Sequence, residues 1–155
     1  MTDDTPALAD QRLLGRPHRV VRHHQVSSLE EAAKARGIVP SQVIKTMLVR
    51  RAENDYLFVL VPGDRKISWR KLRRQLGVNR AAMPGADEAV EATGYVPGTI
   101  TPLGAVKGWP VVADASMRGM VSIGGGAPGV AIAIDAADLV EMLEAEVADV
   151  ADPVS

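Results

Sequence analysis

Two apolar runs flanking a short polar turn constrain the fold of this chain most strongly. Tyr56-Leu57-Phe58-Val59-Leu60-Val61 is rich in β-branched and aromatic residues and is closed by Pro62-Gly63-Asp64. Met47-Leu48-Val49 precedes it across the polar stretch from Arg51 to Asp55. Residues of this kind, bounded by turn formers, read as strands, and the short link makes them a hairpin. The pattern predicts that these two strands lie at the centre of the fold.

The chain has 155 residues, which fits one domain spanning 1–155 with one main core. Residues 1–15 lack clear periodicity and read as a loose arm or a frayed helix. His18 to His23 alternates around Val20 and Val21, as a strand does. Ser28-Leu29-Glu30-Glu31 has capping-box spacing ahead of a helix that Gly37 ends. Pro40 opens a further helical turn through Val43, which places Lys45 at a helix-to-strand junction. Ser68 caps a basic helix running to Leu76, with Trp69, Leu72 and Leu76 on one face and Gly77 as its stop. A short helix over about Asp87 to Thr93, strands at 111–113, 121–123 and 130–134, and a helix over about Ala136 to Leu143 complete the reading.

Composition excludes several classes of chemistry. Aromatic residues are 3% of the chain although hydrophobic residues are 46%, so aliphatic side chains must fill the core and stacking on bases cannot be the main binding mode. There is no cysteine, hence no disulfide, thiolate nucleophile or cysteine-ligated metal. His23 and His24 are adjacent and point to opposite sides of a strand, which does not make a metal site. Ser122 lacks the sharp-turn context of a nucleophile. No stretch reads as a signal peptide or membrane span, and the expectation is a cytoplasmic protein.

Thr93 to Gly104 holds three glycines and two prolines and reads as a rigid shaped loop whose amides could grip a ligand. Gly124-Gly125-Gly126-Ala127-Pro128-Gly129 satisfies the dinucleotide pattern G-x-G-x-x-G in letters, but Val130 to Ile134 continues as a strand where that fingerprint needs a helix. It is either a hairpin loop or a loop whose amides line a pocket. Lys45, beside an apolar run, is either an edge residue reaching for solvent or an ammonium aimed into a pocket. Charge is uneven despite a net −1: residues 50–80 carry nine Lys or Arg against three acids, and residues 135–155 carry seven acids and no base. These are either solvated faces or a one-sided phosphate-binding face, in which Arg70, Lys71, Arg73 and Arg74 contact phosphates and 135–155 faces away.

Lys45-Thr46-Met47-Leu48-Val49, the loop pattern Gly94, Tyr95, Gly98, Pro102 and Gly104, and Gly124-Gly125-Gly126 resemble the YbaK family of aminoacyl-tRNA editing domains. The resemblance runs from about His18 to Ala151 and includes Asp138-Leu139 and Val147 to Val150. It implies an α/β fold, with a mixed β-sheet curling into a barrel-like core flanked by helices. It also implies a trans-acting hydrolase that cleaves the ester of a mischarged tRNA, tRNA-Pro carrying a small amino acid. On this resemblance Lys45 is the catalytic residue, binding the terminal phosphate or the ester carbonyl, while Tyr95, Gly98, Thr101, Pro102, Gly125 and Gly126 bind substrate. An activated ester needs positioned water and oriented dipoles more than a protein nucleophile. No cofactor or metal is implied. The implied partners are the aminoacyl-tRNA 3′ end and, as a further candidate, prolyl-tRNA synthetase, with neither membrane nor DNA. Some relatives carry tyrosine, serine and an acid where Val21, Gly124 and Ala131 stand here, so the amino acid is left open. The competing classes are a non-catalytic module binding tRNA or a synthetase, and a small-ester hydrolase outside translation.

Overall fold

A computed structural model describes residues 5–154. Among these residues nine strands and four α-helices follow in the order β1 (His18–Arg22), α1 (Leu29–Arg36), β2 (Val43–Ala52), β3 (Asp55–Pro62), β4 (Arg65–Ile67), α2 (Trp69–Leu76), α3 (Ala86–Thr93), β5 (Val111–Asp114), β6 (Met120–Gly124), β7 (Val130–Asp135), α4 (Ala136–Leu143), β8 (Glu146–Ala148) and β9 (Ala151–Pro153). Seven strands form one mixed sheet in the order β1-β7-β6-β2-β3-β5-β8, and β4 pairs with β9 in a separate ribbon. The expected mixed sheet flanked by helices is present, and the β2–β3 hairpin is central to it.

The hairpin is central because β3 is apolar on both faces. Tyr56, Phe58 and Leu60 enter one core with Ile44, Leu48, Ile123, Ile132 and Leu139. Leu57, Val59 and Val61 enter a second core with Val49, Leu72, Val112 and Val150. Every β3 residue from Tyr56 to Pro62 is buried, which only a strand covered on both sides can be. The sequence reading of one main core is thus corrected to two, one on each face of the sheet.

Local signals set the helix ends as read. Ser28 Oγ accepts from Glu31 N–H and Ser68 Oγ from Lys71 N–H, at 3.1 and 3.3 Å. Gly37 and Gly77 close α1 and α2 in the left-handed conformation. Three readings change. Lys45 lies inside β2, which begins at Val43, so it is a strand residue and not a junction. The short strands β4, β8 and β9 were not read from the sequence. Within the N-terminal fifteen residues, 1–4 lie outside the described residues, while Pro6–Ala9 and Gln11–Leu13 are 3₁₀ turns with Ala7 and Leu13 buried. Residues 5–13 are tied to the rest of the fold: Asp10 Oδ2 accepts from Gly104 N–H at 2.9 Å, and Thr5 donates to Gly125 O at 2.5 Å.

Candidate active site

The site begins with an interruption in the β-ladder. On β2, Arg50 exchanges backbone hydrogen bonds with Ala82, at 2.8 and 3.1 Å, on the edge away from β3. Alternation then turns the N–H and C=O of Thr46 and Leu48 toward that same edge. Pairing with β6 covers only Val43 and Ile44. Between Ile44 and Arg50 no strand among the described residues pairs with the edge of β2 that faces away from β3, and the gap there is a cleft of about 720 Å³. Its walls are β2 from Val43 to Leu48, the loop 96–100, the loop 126–129, and His23, Gln25 and Arg36 near α1.

Two cations and a histidine border the cleft, and no carboxylate does so among its lining residues. Lys45 donates from Nζ to Arg65 O. Burial lowers the pKa of its ammonium, and the charge of Asp64 partly offsets this. Arg36 donates from Nη1 to Ser122 Oγ at 3.2 Å, with Nε 3.4 Å from His23 Nε2, and burial holds its guanidinium below the ordinary value. Arg36 therefore stands between His23 and Ser122, so these two do not form a nucleophile and base. Among the described residues no group of three or more His, Cys, Asp or Glu could hold a metal ion.

The structure divides the residues expected at the site. Lys45, Gly98 and Gly126 border the cleft. Tyr95, Thr101, Pro102 and Gly125 stand behind it. Tyr95 is buried, burial pushes its phenol up to about 12, and its hydroxyl donates to Leu103 O at 2.7 Å. Thr101 Oγ1 accepts from Leu103 N–H at 3.3 Å, and Pro102 O accepts from Arg12 at 3.3 Å. Gly125 N–H donates to Val130 O at 2.8 Å, and a Cβ there would sit 2.6 Å from Val130 Cγ1. A Cβ on Gly126 would sit 2.8 Å from the Tyr95 ring. The buried half of the loop is thus a bracket, and its exposed half, with Pro97, Thr99 and Ile100, is the wall that reaches the cleft.

Sequence reading missed Arg36, Gln25, Thr46 and Met83 as cleft residues. Arg36 lay in the last turn of a helix, where a cation is explained by the helix dipole alone. Of the three departures noted from relatives, only Gly124 borders the cleft. Val21 and Ala131 are register partners in the β1–β7 pair. The basic segment is also divided: Lys71 Nζ lies 3.1 Å from Asp149 and 2.9 Å from Asp152, so the acidic C-terminal segment abuts α2 and does not face away from it.

The geometry is that of a mixed α/β sheet with a cation-lined cleft, free of carboxylates among its lining residues, at a gap in the ladder. The fold recurs in solved structures. A hypothetical protein matches 96% of this chain and 100% of its own at TM-score 0.86 and 26% identity. A candidate trans-editing enzyme for prolyl-tRNA synthetase matches 97% and 99% at TM-score 0.87 and 23% identity. The family model for the aminoacyl-tRNA editing domain matches residues 23–142, and the chain belongs to that family, the YbaK-like group its motifs resemble. Proline–tRNA ligase of Bacillus licheniformis is 32% identical over 102 residues, 66% of this chain and 18% of the ligase. That of Citrifermentans bemidjiense is 34% identical over 105 residues, 68% of this chain and 18% of the ligase. The chain therefore spans about a fifth of the length of the curated relatives it matches.

Proposed function

We infer that the chain is a trans-acting aminoacyl-tRNA deacylase which hydrolyses the ester of a mischarged tRNA, with tRNA-Pro carrying a small amino acid as its substrate. The observation that carries this reading is the ladder gap: main-chain N–H groups of Thr46 and Leu48, a lysine and an arginine converge on one cleft that holds no carboxylate. Such a cleft suits the anionic end of a tRNA. An ester carbonyl seated against the β2 edge would accept from a main-chain N–H as negative charge develops on its oxygen. Lys45 would release Arg65 O and turn to that oxygen or to the terminal phosphate, and Gly98 with its neighbours would hold the ribose. Water attacks the carbonyl carbon, the ester C–O bond breaks, and the proton passes to the departing ribose oxygen. Family membership and the relation to proline–tRNA ligases support tRNA-Pro, and prolyl-tRNA synthetase is the partner this reading proposes. The cytoplasm is the compartment it implies; no helix among the described residues is long and apolar enough to cross a membrane.

One observation favours a second reading, a module that binds without hydrolysis: the Lys45 ammonium is already engaged by Arg65 O. A panel of tRNA-Pro charged with alanine, cysteine or proline separates the two. Release of free amino acid from a mischarged member, with Pro-tRNA spared, is expected. Binding of every member without release would establish the second reading and overturn the first.

A further inference from the structure

A second groove of about 750 Å³ adjoins the cleft, and the two share Met83 and Pro84 as common wall. Arg50, Arg51, Arg73 and Arg80 line this groove, and Glu88 is the one carboxylate among its lining residues. Glu88 is engaged by the Tyr56 hydroxyl and by Arg50 at 3.4 Å, and Arg51 pairs with Asp55 at 3.0 Å. Arg73 and Arg80 have no carboxylate partner among the described residues. Two uncompensated guanidinia in a groove that opens on an active-site cleft are more than a solvated face requires. The opposite side of α2 is closed to an anion, because Asp149 and Asp152 surround Lys71 and Gln75 bonds Glu146.

We propose that this groove carries the phosphodiester backbone of the single-stranded RNA tail leading to the esterified nucleotide, with Arg73 and Arg80 as its phosphate contacts. The proposal rests on the deacylase reading for the direction of the tail. Guanidinium forks match phosphate oxygens in pairs, and a single strand can bend from one concavity into the next where a duplex cannot. Met83, 54% exposed at the shared wall, offers an apolar surface where the tail crosses from groove to cleft. The assignment differs from reading the whole of α2 as an RNA face: Arg70 and Arg74 lie on the same helix but outside the groove, and Lys71 is neutralised.

The test uses the full chain and a fluorescein-labelled, uncharged RNA stem-loop ending in a single-stranded CCA tail, titrated by anisotropy from about 50 to about 200 mM KCl. Each phosphate contact on a single strand contributes about 0.7 to the slope of log K against log salt, so Arg73→Glu/Arg80→Glu should flatten it by roughly one to one and a half. Affinity at the lower salt should fall about tenfold. Arg70→Glu/Arg74→Glu should stay within about twofold of the parent, and a blunt stem-loop should bind weakly. Arg80→Gln, at an exposed position, should give the same change at about half the size, which keeps the test open if the double variant misfolds. Unchanged binding by Arg73→Glu/Arg80→Glu, equal loss in the Arg70/Arg74 pair, or equal affinity for the blunt stem-loop or a DNA copy of the tailed one would overturn the groove. On the mischarged panel the Arg73/Arg80 variant should keep kcat and raise KM about tenfold. If the parent releases no amino acid yet binds the tail through Arg73 and Arg80, the deacylase reading falls and the groove stands.

Discussion

The two halves of the loop after α3 have opposite fates. Residues 96–100 border the cleft, and the half-turns on either side of them are buried, with Tyr95, Thr101 and Leu103 satisfying one another's polar atoms. The same string of glycines and prolines therefore does two jobs. A motif residue here is either a wall that meets ligand or the bracket that holds the wall, and motif membership alone does not say which. Substitutions in the bracket should cost stability and carry activity down with it, whereas substitutions at the wall should cost activity first.

The sharpest break should come at Gly104, at the far end of the bracket. Its φ is +66°, and a Cβ there would lie 2.2 Å from Pro6 O. Gly104→Ala forces backbone apart in a conformation that disfavours a side chain, so a loss of about 3 kcal/mol or more is expected. Thermal melting should fall by about 10 °C, and a shift under about 2 °C would show that the N-terminal segment yields freely.

Lys45→Ala tests the cleft side of the comparison. Turnover of a mischarged tRNA should drop about 10²-fold while the melting temperature holds, since removing a partly buried ammonium spares the fold its desolvation cost. Equal turnover in the variant would remove Lys45 from the mechanism. Lys45→Arg should rescue little, because the larger planar fork presents its donors differently.

At Gly98 the expectation is finer. Its φ is +92°, but nothing lies within 4 Å of an added Cβ. Gly98→Ala should thus cost only about 1 kcal/mol of stability through strain. Activity should fall about tenfold, because the methyl projects into space the ribose would use. Parallel losses, with no excess in activity, would move Gly98 from wall to bracket.

The smallest effect is expected at Asp10, which ties the N-terminal segment to Gly104. Burial by itself would raise the pKa of its carboxyl, but donors from Arg12 and the Gly104 N–H outweigh this and hold it below the ordinary value. A carboxylate lowered by folding stabilises above its unfolded pKa, and that contribution is lost as pH falls through the folded value. Asp10→Asn should therefore cost about 1 kcal/mol near neutrality. Urea melts of parent and variant should converge as the pH falls below the ordinary carboxylate range and through the lowered folded value. A gap that persists in acid would mean the amide fails for shape and not for charge.

What the sequence disclosed was local. Ser28, Gly37, Ser68 and Gly77 specify helix ends through neighbours three or four residues away, and the β2–β3 hairpin is specified by two apolar runs and a turn. Partners remote in sequence were invisible. β4 and β9 are three-residue strands that pair across more than eighty positions, Arg65 opposite Pro153, with too few residues to show a period. For the same reason Lys71 read as one of a run of cations, although Asp149 and Asp152 neutralise it. At the site, local pattern left Lys45 and the Gly126 loop open between solvent edge and pocket, and the family resemblance put them with Gly98 among the candidates; all three border the cleft. Which residues of those loops turn inward depends on how β2, β6 and the N-terminal segment meet, and no window of sequence contains that.

The gap beside Thr46 and Leu48 has an evolutionary corollary. On the proposed mechanism the groups that receive the ester belong to the peptide unit, which every substitution except proline leaves in place. Chemistry would then be inherited with the strand, while preference for one amino acid over another is written by side chains around it, such as Met47 and Ile100, and by the bare position at Gly124. Lineages could redraw the list of acceptable cargo one residue at a time, without a generation in which the hydrolytic apparatus is missing.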